Sequence, residues 1–353
     1  MRKFPLLLLQ VSFIEFFPMD FGWLMGQVLA AAAKFPEDFR NRHGAYLLAS
    51  ESPQGGFTGR AGRADPYYTA FGLASLALVG RLTQPIVQRA LNTLFASMNR
   101  SDDPCRSVVP PDWRLLTLAE LVGLVVCGFF VQGTSNVPES SAIPNSIGQD
   151  PFSRWGLTAQ QVVREFLSLV LRPDGGYAKH PASPTSSTYA TFLAALLQQL
   201  VGLPLEQPDK TTQMLLDRQR DDGGFAEWPL ARQSGTNPTA AAVAWWSMAG
   251  GIPASVRERA AAFLARMQSA EGGFCAHGGV PIADLLSTFT ALVALELLEA
   301  GSAVDRQSAR RYVASLELPT GGFRAAVWDT AADVEYTFYG LASLALLADT
   351  STR

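Results

Sequence analysis

Charge is scarce in this chain. Asp, Glu, Lys and Arg make up 17% of its residues, against roughly a quarter in ordinary globular proteins. No cationic excess offsets that scarcity: 28 Lys and Arg face 31 Asp and Glu, for a net charge of −3. A nucleic-acid binder, which needs a basic stripe, is therefore not expected. Cysteine and histidine are scarce too, with three of each. An odd, scattered cysteine set excludes a disulfide framework and fits a reducing compartment. Paired CxxC motifs of a zinc ribbon are missing. What is abundant is apolar: 48% hydrophobic residues and a mean hydropathy of +0.12. Such a chain either sits in a membrane or folds around much buried or pocket-lining apolar surface.

The N-terminal stretch resembles a secretory signal, with Arg2 and Lys3 before Leu6–Leu9. Gln10 and Glu15 interrupt the apolar run and Pro18 ends it. Phe4–Phe17 is also shorter than the about 20 residues that span a bilayer. Residues 1–38 are therefore expected to form a helical extension, with Met19 an alternative start, followed by one domain over residues 39–353. A cytoplasmic location is expected, with a membrane-peripheral one as the variant.

Gly-Gly-aromatic triplets begin at Gly55, Gly175, Gly223, Gly272 and Gly321. The last four are spaced by 48, 49 and 49 residues, and the first gap is 120. One missing turn near Asp102–Cys105 and an insertion at about 132–153, rich in Ser, Pro and Asn, account for that gap. The pattern predicts six repeats, the second degenerate. Each repeat has an amphipathic helix, a Gly-Gly turn, a polar loop and a second helix that is apolar nearly all round. A helix of the second kind must be covered on both sides. Outer helices shielding inner ones around an apolar central funnel satisfy that requirement. The glycines and the aromatics after them are expected to be structural.

Leu215-Leu216, Gln219 and Gly223-Gly224-Phe225, echoed by Phe263-Leu264, Gln268 and Gly272-Gly273-Phe274, resemble the repeat of protein prenyltransferase β subunits and squalene–hopene-type cyclases. Gly55-Gly56-Phe57-Thr58-Gly59-Arg60, then Asp65-Pro66-Tyr67-Tyr68-Thr69, is similar to the protein geranylgeranyltransferase pattern. The resemblance covers residues 39–348. It implies an all-α (α/α)6 toroid, with an isoprenoid or prenyl diphosphate ligand in its funnel.

It also implies site residues. The transferases hold zinc with Asp-x-Cys in one repeat and His in the next. Here those positions are Asp284, Leu286 and Tyr336. Two ligands are gone, so no zinc or other cofactor is expected. Cys275, His277 and Asp284 form a displaced alternative, and Mg²⁺ enters only with a diphosphate substrate. The cyclases protonate an alkene with the central acid of Asp-x-Asp-Asp-Thr. The stretch Asp333-Val334-Glu335-Tyr336-Thr337 resembles that motif, with Glu335 in the acid position. Asp333 reads equally as a helix cap.

Closing the ring brings the first repeat beside the last. Arg60 and Arg63, in the places of the family's diphosphate-binding cations, then face Asp333, Glu335 and Tyr336. They make an anion site or pair with local acids. Tyr67, Tyr68, Trp246, Trp328 and Tyr339 are candidate substrate-contacting aromatics. Three functions stay open: a prenyltransferase without zinc, implying a helical-repeat partner subunit; a terpenoid cyclase-like enzyme with Glu335 or Asp333 as the acid and Tyr336 beside them as a further catalytic candidate; and a non-catalytic toroid holding a lipid or a partner.

Overall fold

The computed structural model describes residues 19–98, 115–135, 152 and 156–348. In chain order the helices are α1 (Met19–Ala32), α2 (Glu37–Ala49), α3 (Pro66–Leu78), α4 (Gln84–Met98), α5 (Leu118–Ser135), α6 (Ala159–Val170) and α7 (Thr188–Leu200). Then come α8 (Pro208–Arg218), α9 (Thr236–Met248), α10 (Ala254–Arg266), α11 (Leu285–Leu297), α12 (Arg306–Ser315) and α13 (Val334–Leu346). The odd-numbered helices from α3 to α13 are the inner ones. Each packs on the next, and α13 packs back on α3, so the inner ring is closed. The even-numbered helices α2 to α12 form the outer layer.

The glycine pairs explain the regular spacing. The first glycine of each pair has positive φ, between 88° and 101°, where a side chain is strained. A Cβ there would also strike the following outer helix: at Gly55 it would lie 2.7 Å from the Arg89 carbonyl, and at Gly272 2.3 Å from that of Ser308. At Gly321 the nearest atom is the Arg42 carbonyl, at 2.6 Å. The last turn thus seats on the first outer helix and closes the outer layer as well.

The residue after each pair is a wedge. Phe57, Phe225, Phe274 and Phe323 are fully buried and Tyr177 nearly so; truncating such a phenylalanine to alanine costs about 3–5 kcal/mol. Each wedge N–H donates to a threonine of its own inner helix: Thr69 (3.0 Å), Thr191 (3.0 Å), Thr239 (2.9 Å), Thr288 (2.9 Å) and Thr337 (3.2 Å). The threonine of the cyclase-like motif is thus a repeat residue, present in five repeats for a backbone reason. The structure adds two short antiparallel ladders absent from the sequence reading, β1 (Phe274–Cys275) with β2 (Ala283–Asp284) and β3 (Phe323–Arg324) with β4 (Ala332–Asp333).

Helix α1 lies within the stretch 1–38 expected to be helical. It packs on α9, α11 and α13, three consecutive helices of the inner ring. It leads directly into α2, whose first residue, Glu37, pairs with Arg81 just past the end of α3. Helix α1 therefore ends on the side where the inner helices finish, and the opposite opening, at their N-termini, is the mouth. Residues 132–135 of the expected insertion belong to α5, which continues to Ser135. The insertion's remainder to residue 151, the degenerate turn near Asp102–Cys105 and residues 1–18 lie outside the described residues.

Candidate functional site at the seam of the ring

Helix α9 starts at Gly235 without a side-chain cap, whereas α3, α7, α11 and α13 start with one; the second residue of each inner helix, half-buried in all six, is its axial position. Asp65, Ser187, Asp284 and Asp333 accept hydrogen bonds from the N–H groups of Tyr68, Ala190, Ser287 and Tyr336 at 2.7–3.0 Å. They satisfy donors that a helix start leaves open. In chain order the second residues are Tyr67, Ala119, Tyr189, Asn237, Leu286 and Glu335. One of these six is ionisable as an acid in the carboxylate range, and it is Glu335.

Glu335 lies beside the seam between α13 and α3. Its Oε1 accepts from Tyr67 Oη at 2.7 Å and from Tyr339 Oη at 2.9 Å. Burial raises its pKa above the ordinary carboxylate range; the two phenols pull it back down and nearby Asp333 adds to the rise. The result is a carboxyl that keeps a proton more readily than one in water, with a conjugate base already provided with two donors. Burial also raises Tyr67, Tyr189 and Tyr339, so these phenols stay donors. Around them stand Phe71 on Tyr67 (5.0 Å between ring centres) and on Phe338 (5.4 Å), and Phe289 stacked on Tyr339 (5.1 Å).

One layer toward the mouth, Arg60 crosses the same seam. Its Nε donates to Asp333 Oδ2 at 3.0 Å and its Nη1 to Asp329 Oδ1 at 3.0 Å, with Nη2 on the other Asp329 oxygen. Its guanidinium also lies 6.0 Å from the Tyr336 ring centre. The fork on Asp329 holds that carboxyl down to about 2. Asp333 Oδ1 caps α13 and its Oδ2 meets Arg60. Arg60 faces Asp333 across the seam as expected, but paired with two carboxylates 6% and 7% exposed it lacks the free charge of an anion clamp.

The other expected residues divide. Tyr68 is half-buried, with its ring edge-on to Tyr67 at 5.2 Å. Arg63 is exposed on the loop. Trp328 is 68% exposed at the mouth, outside the aromatic wall. Trp246 needs correcting as a funnel residue. It lies nine residues beyond Asn237, half a turn round the helix, and is 2% exposed with its ring 5.5 Å from Phe225. The alternative metal group does not converge. Asp284 is spent as a cap, His277 Nδ1 faces Gln233 Nε2 at 2.9 Å, and Cys275 is a buried thiol pushed up by burial. Among the described residues no three His, Cys, Asp or Glu side chains are grouped to hold a metal. The zinc positions do not fit either: Leu286 has no donor atom, and burial pushes the Tyr336 phenol up to about 12.

Three contributors escaped the sequence reading. Asp329 sits in a loop, and its oxygens accept from the N–H groups of Ala325 and Ala331 at 3.2 Å. Tyr189 was legible in principle, holding in its repeat the place of Glu335. His43 closes the outer layer: its Nδ1 accepts from the Gly322 N–H at 3.0 Å.

The family description "Prenyltransferase alpha-alpha toroid domain" matches residues 22–105, 154–281 and 252–353. Among curated proteins none matches the sequence. The fold is similar to that of Candida albicans protein geranylgeranyltransferase-I complexed with GGPP, at 14% identity and a TM-score of 0.63, over 87% of this chain and 90% of that one. It is also similar to a variant of the type II terpene cyclase MstE from Scytonema in complex with its product merosterolic acid A: 14% identity, TM-score 0.53, 91% and 96% covered. A protein from Actinoplanes aligns at 17% identity, TM-score 0.51, over 88% and 98%. Among the described residues no helix is long and apolar enough to cross a membrane.

Proposed function

The chain belongs to the prenyltransferase alpha-alpha toroid domain family, and from that premise we propose that it is an isoprenoid-binding toroid with terpene cyclase-like acid chemistry at Glu335. The observation that carries this reading is the buried Glu335 carboxyl, held by Tyr67 and Tyr339 within an aromatic wall. Both phenols use Oε1, which leaves Oε2 for the proton. In the reaction, an alkene π pair of the isoprenoid takes that proton as a new C–H bond, leaving a tertiary carbocation. The next alkene attacks the cation and closes a ring, and the last cation loses a proton to water. Solvent protons restore the acid. Phe71, Phe289, Phe338 and Tyr339 offer ring faces to the cations.

The transfer reading, with a prenyl diphosphate, Mg²⁺ and a helical-repeat partner, needs Arg60 and Arg63 free for phosphate. The contacts of Arg60 with Asp329 and Asp333 favour the acid reading instead. A cytoplasmic location remains part of the proposal on the scattered cysteines alone.

The test is mass spectrometry of products after incubation with squalene, geranylgeraniol, and the geranyl, farnesyl and geranylgeranyl diphosphates. Cyclised isomers that disappear in Glu335→Gln are the expected result. Diphosphate release that is unaffected by Glu335→Gln would favour transfer. Binding without turnover would favour a non-catalytic toroid.

A further inference from the structure

Exposed large apolar side chains are not spread over this molecule. Among the described residues eight are exposed, and six of them lie on the loops that lead into inner helices. Leu115 (61% exposed) precedes α5, Trp228 (37%) and Leu230 (94%) precede α9, Ile282 (48%) precedes α11, and Val327 (43%) and Trp328 (68%) precede α13. All six inner helices run the same way, so these four loops stand round one opening, the mouth.

The charges of that collar are sorted by depth. In the loops between wedge and inner helix, the exposed charges among the described residues are Arg63, Lys179 and Arg232, with Arg60 exposed as well but held by Asp329 and Asp333. The acids there are turned inward or half-buried: Asp65, Asp284 and Asp333 cap helices, Asp329 holds Arg60 and Glu227 lies 3.6 Å from Lys179. Exposed acids at this end (Asp174, Asp221, Asp222, Glu271) lie farther out, on the turns before the glycine pairs.

We propose that this collar docks the toroid, mouth down, on a phospholipid bilayer. Single exposed leucines are ordinary; large ones gathered on separate loop tips around one opening are not. Their spread over four loops does not form the groove that a peptide or helix fills. It suits shallow insertion of several tips, with the cations beside them at the phosphate level. The docking rests on surface pattern and charge, independent of the chemistry at Glu335. If that chemistry holds, the bilayer is also the phase from which an isoprenoid would reach the mouth.

The experiment is co-sedimentation of the full chain with phosphatidylcholine vesicles and with vesicles containing phosphatidylglycerol. Binding to the anionic vesicles, weaker to the neutral ones, is expected. Leu230→Asp combined with Trp328→Asp is expected to weaken it about tenfold or more. Leu216→Asp, on the outer side of α8, should bind like the unaltered chain. In a measurement that does not depend on that double variant folding, brominated lipid should quench tryptophan emission of the unaltered chain. Trp228→Phe with Trp328→Phe should abolish most of the quenching. No capture by either vesicle, or capture that the collar variants leave unchanged, overturns the proposal. So does self-association without lipid that the Asp variants abolish, because the collar would then be an interface between copies.

Discussion

The seam between the last and first repeats and the junction between the third and fourth are built from the same parts and tuned differently. At the internal junction, Glu227 reaches back to α7, accepting from Ser187 Oγ and from the Tyr189 N–H. Arg218, 2% exposed, is surrounded by Ser186, Thr188, a carbonyl and Asp174. Tyr189 takes the axial place, so no carboxyl there faces the bore. At the seam the loop residue reaching back is a cation, Arg60, the cap is an acid, and Glu335 takes the axial place. Outside, α2 offers His43 to the last turn, where α8 offers Thr211, whose Oγ1 donates to the Gly175 carbonyl at 2.8 Å. Ring closure has thus placed a carboxyl at the axis and an imidazole in the outer layer, where this internal junction has a phenol and a hydroxyl.

The largest effect that would break this contrast is loss of the axial acid. Glu335→Gln keeps the shape and the capacity to accept from Tyr67 and Tyr339, and removes the transferable proton. Turnover of a cyclising substrate should fall about 100- to 10,000-fold, with thermal stability within a few degrees of the unaltered chain. A variant that cyclises at full rate would reduce Glu335 to a structural carboxyl.

Next in size is the pH response of the outer seam. Burial lowers His43 to about 4. Its Nδ1 accepts from Gly322, so the ring proton sits on Nε2, 3.2 Å from Glu317. In the unfolded chain His43 takes a proton below about pH 6.5; in the folded chain it resists until about 4. Stability therefore falls as pH drops through that window, by about 3 kcal/mol for a single such group. Urea unfolding at pH 7, 5.5 and 4 should show the fall. His43→Thr, copying the internal junction, should flatten it.

Why the sequence disclosed the ring and less of the site follows from what each depends on. Glycine pairs, wedges and caps recur in the repeat because every turn must seat on the next helix, so spacing alone exposes them. Asp333, Glu335 and Arg60 were legible because they depart from the repeat at known places. Asp329 and His43 gain their roles across 269 and 279 residues of chain, to Arg60 and Gly322, and no local pattern announces such partners. Trp246 misled because its chemistry suggested a ligand wall while its helical angle set it against Phe225.

Third comes the seam's ion triad. Arg60→Met leaves Asp329 and Asp333 buried without their cation, and should cost about 2 kcal/mol near neutral pH, reduced from a fully buried case by the exposure of Arg60. Asp329, held down to about 2, contributes stability that is present above about pH 4 and lost as pH falls toward its folded value. The curves for Arg60→Met and the unaltered chain should therefore converge in acid. Arg218→Met at the internal junction should cost less, about 1 kcal/mol, because Asp174 is partly exposed and the remaining partners are mostly hydroxyls and carbonyls. Equal losses would erase the electrostatic distinction between the two places.

The smallest expected effect separates a tuned acid from one that is merely buried. Tyr67 and Tyr339 donate to the same oxygen of Glu335, and each lowers a pKa that burial raises. Removing one phenol leaves the anion formed on proton transfer with a single donor, so the acid weakens. Tyr67→Phe and Tyr339→Phe should each slow cyclisation by about tenfold. Because the protonated form now persists to higher pH, the alkaline limb of the rate profile should move upward. Loss of packing alone would lower the rate at every pH and leave that limb in place. Tyr189→Phe supplies the internal control: its hydroxyl donates no hydrogen bond to Glu335, so its profile should keep the original limb.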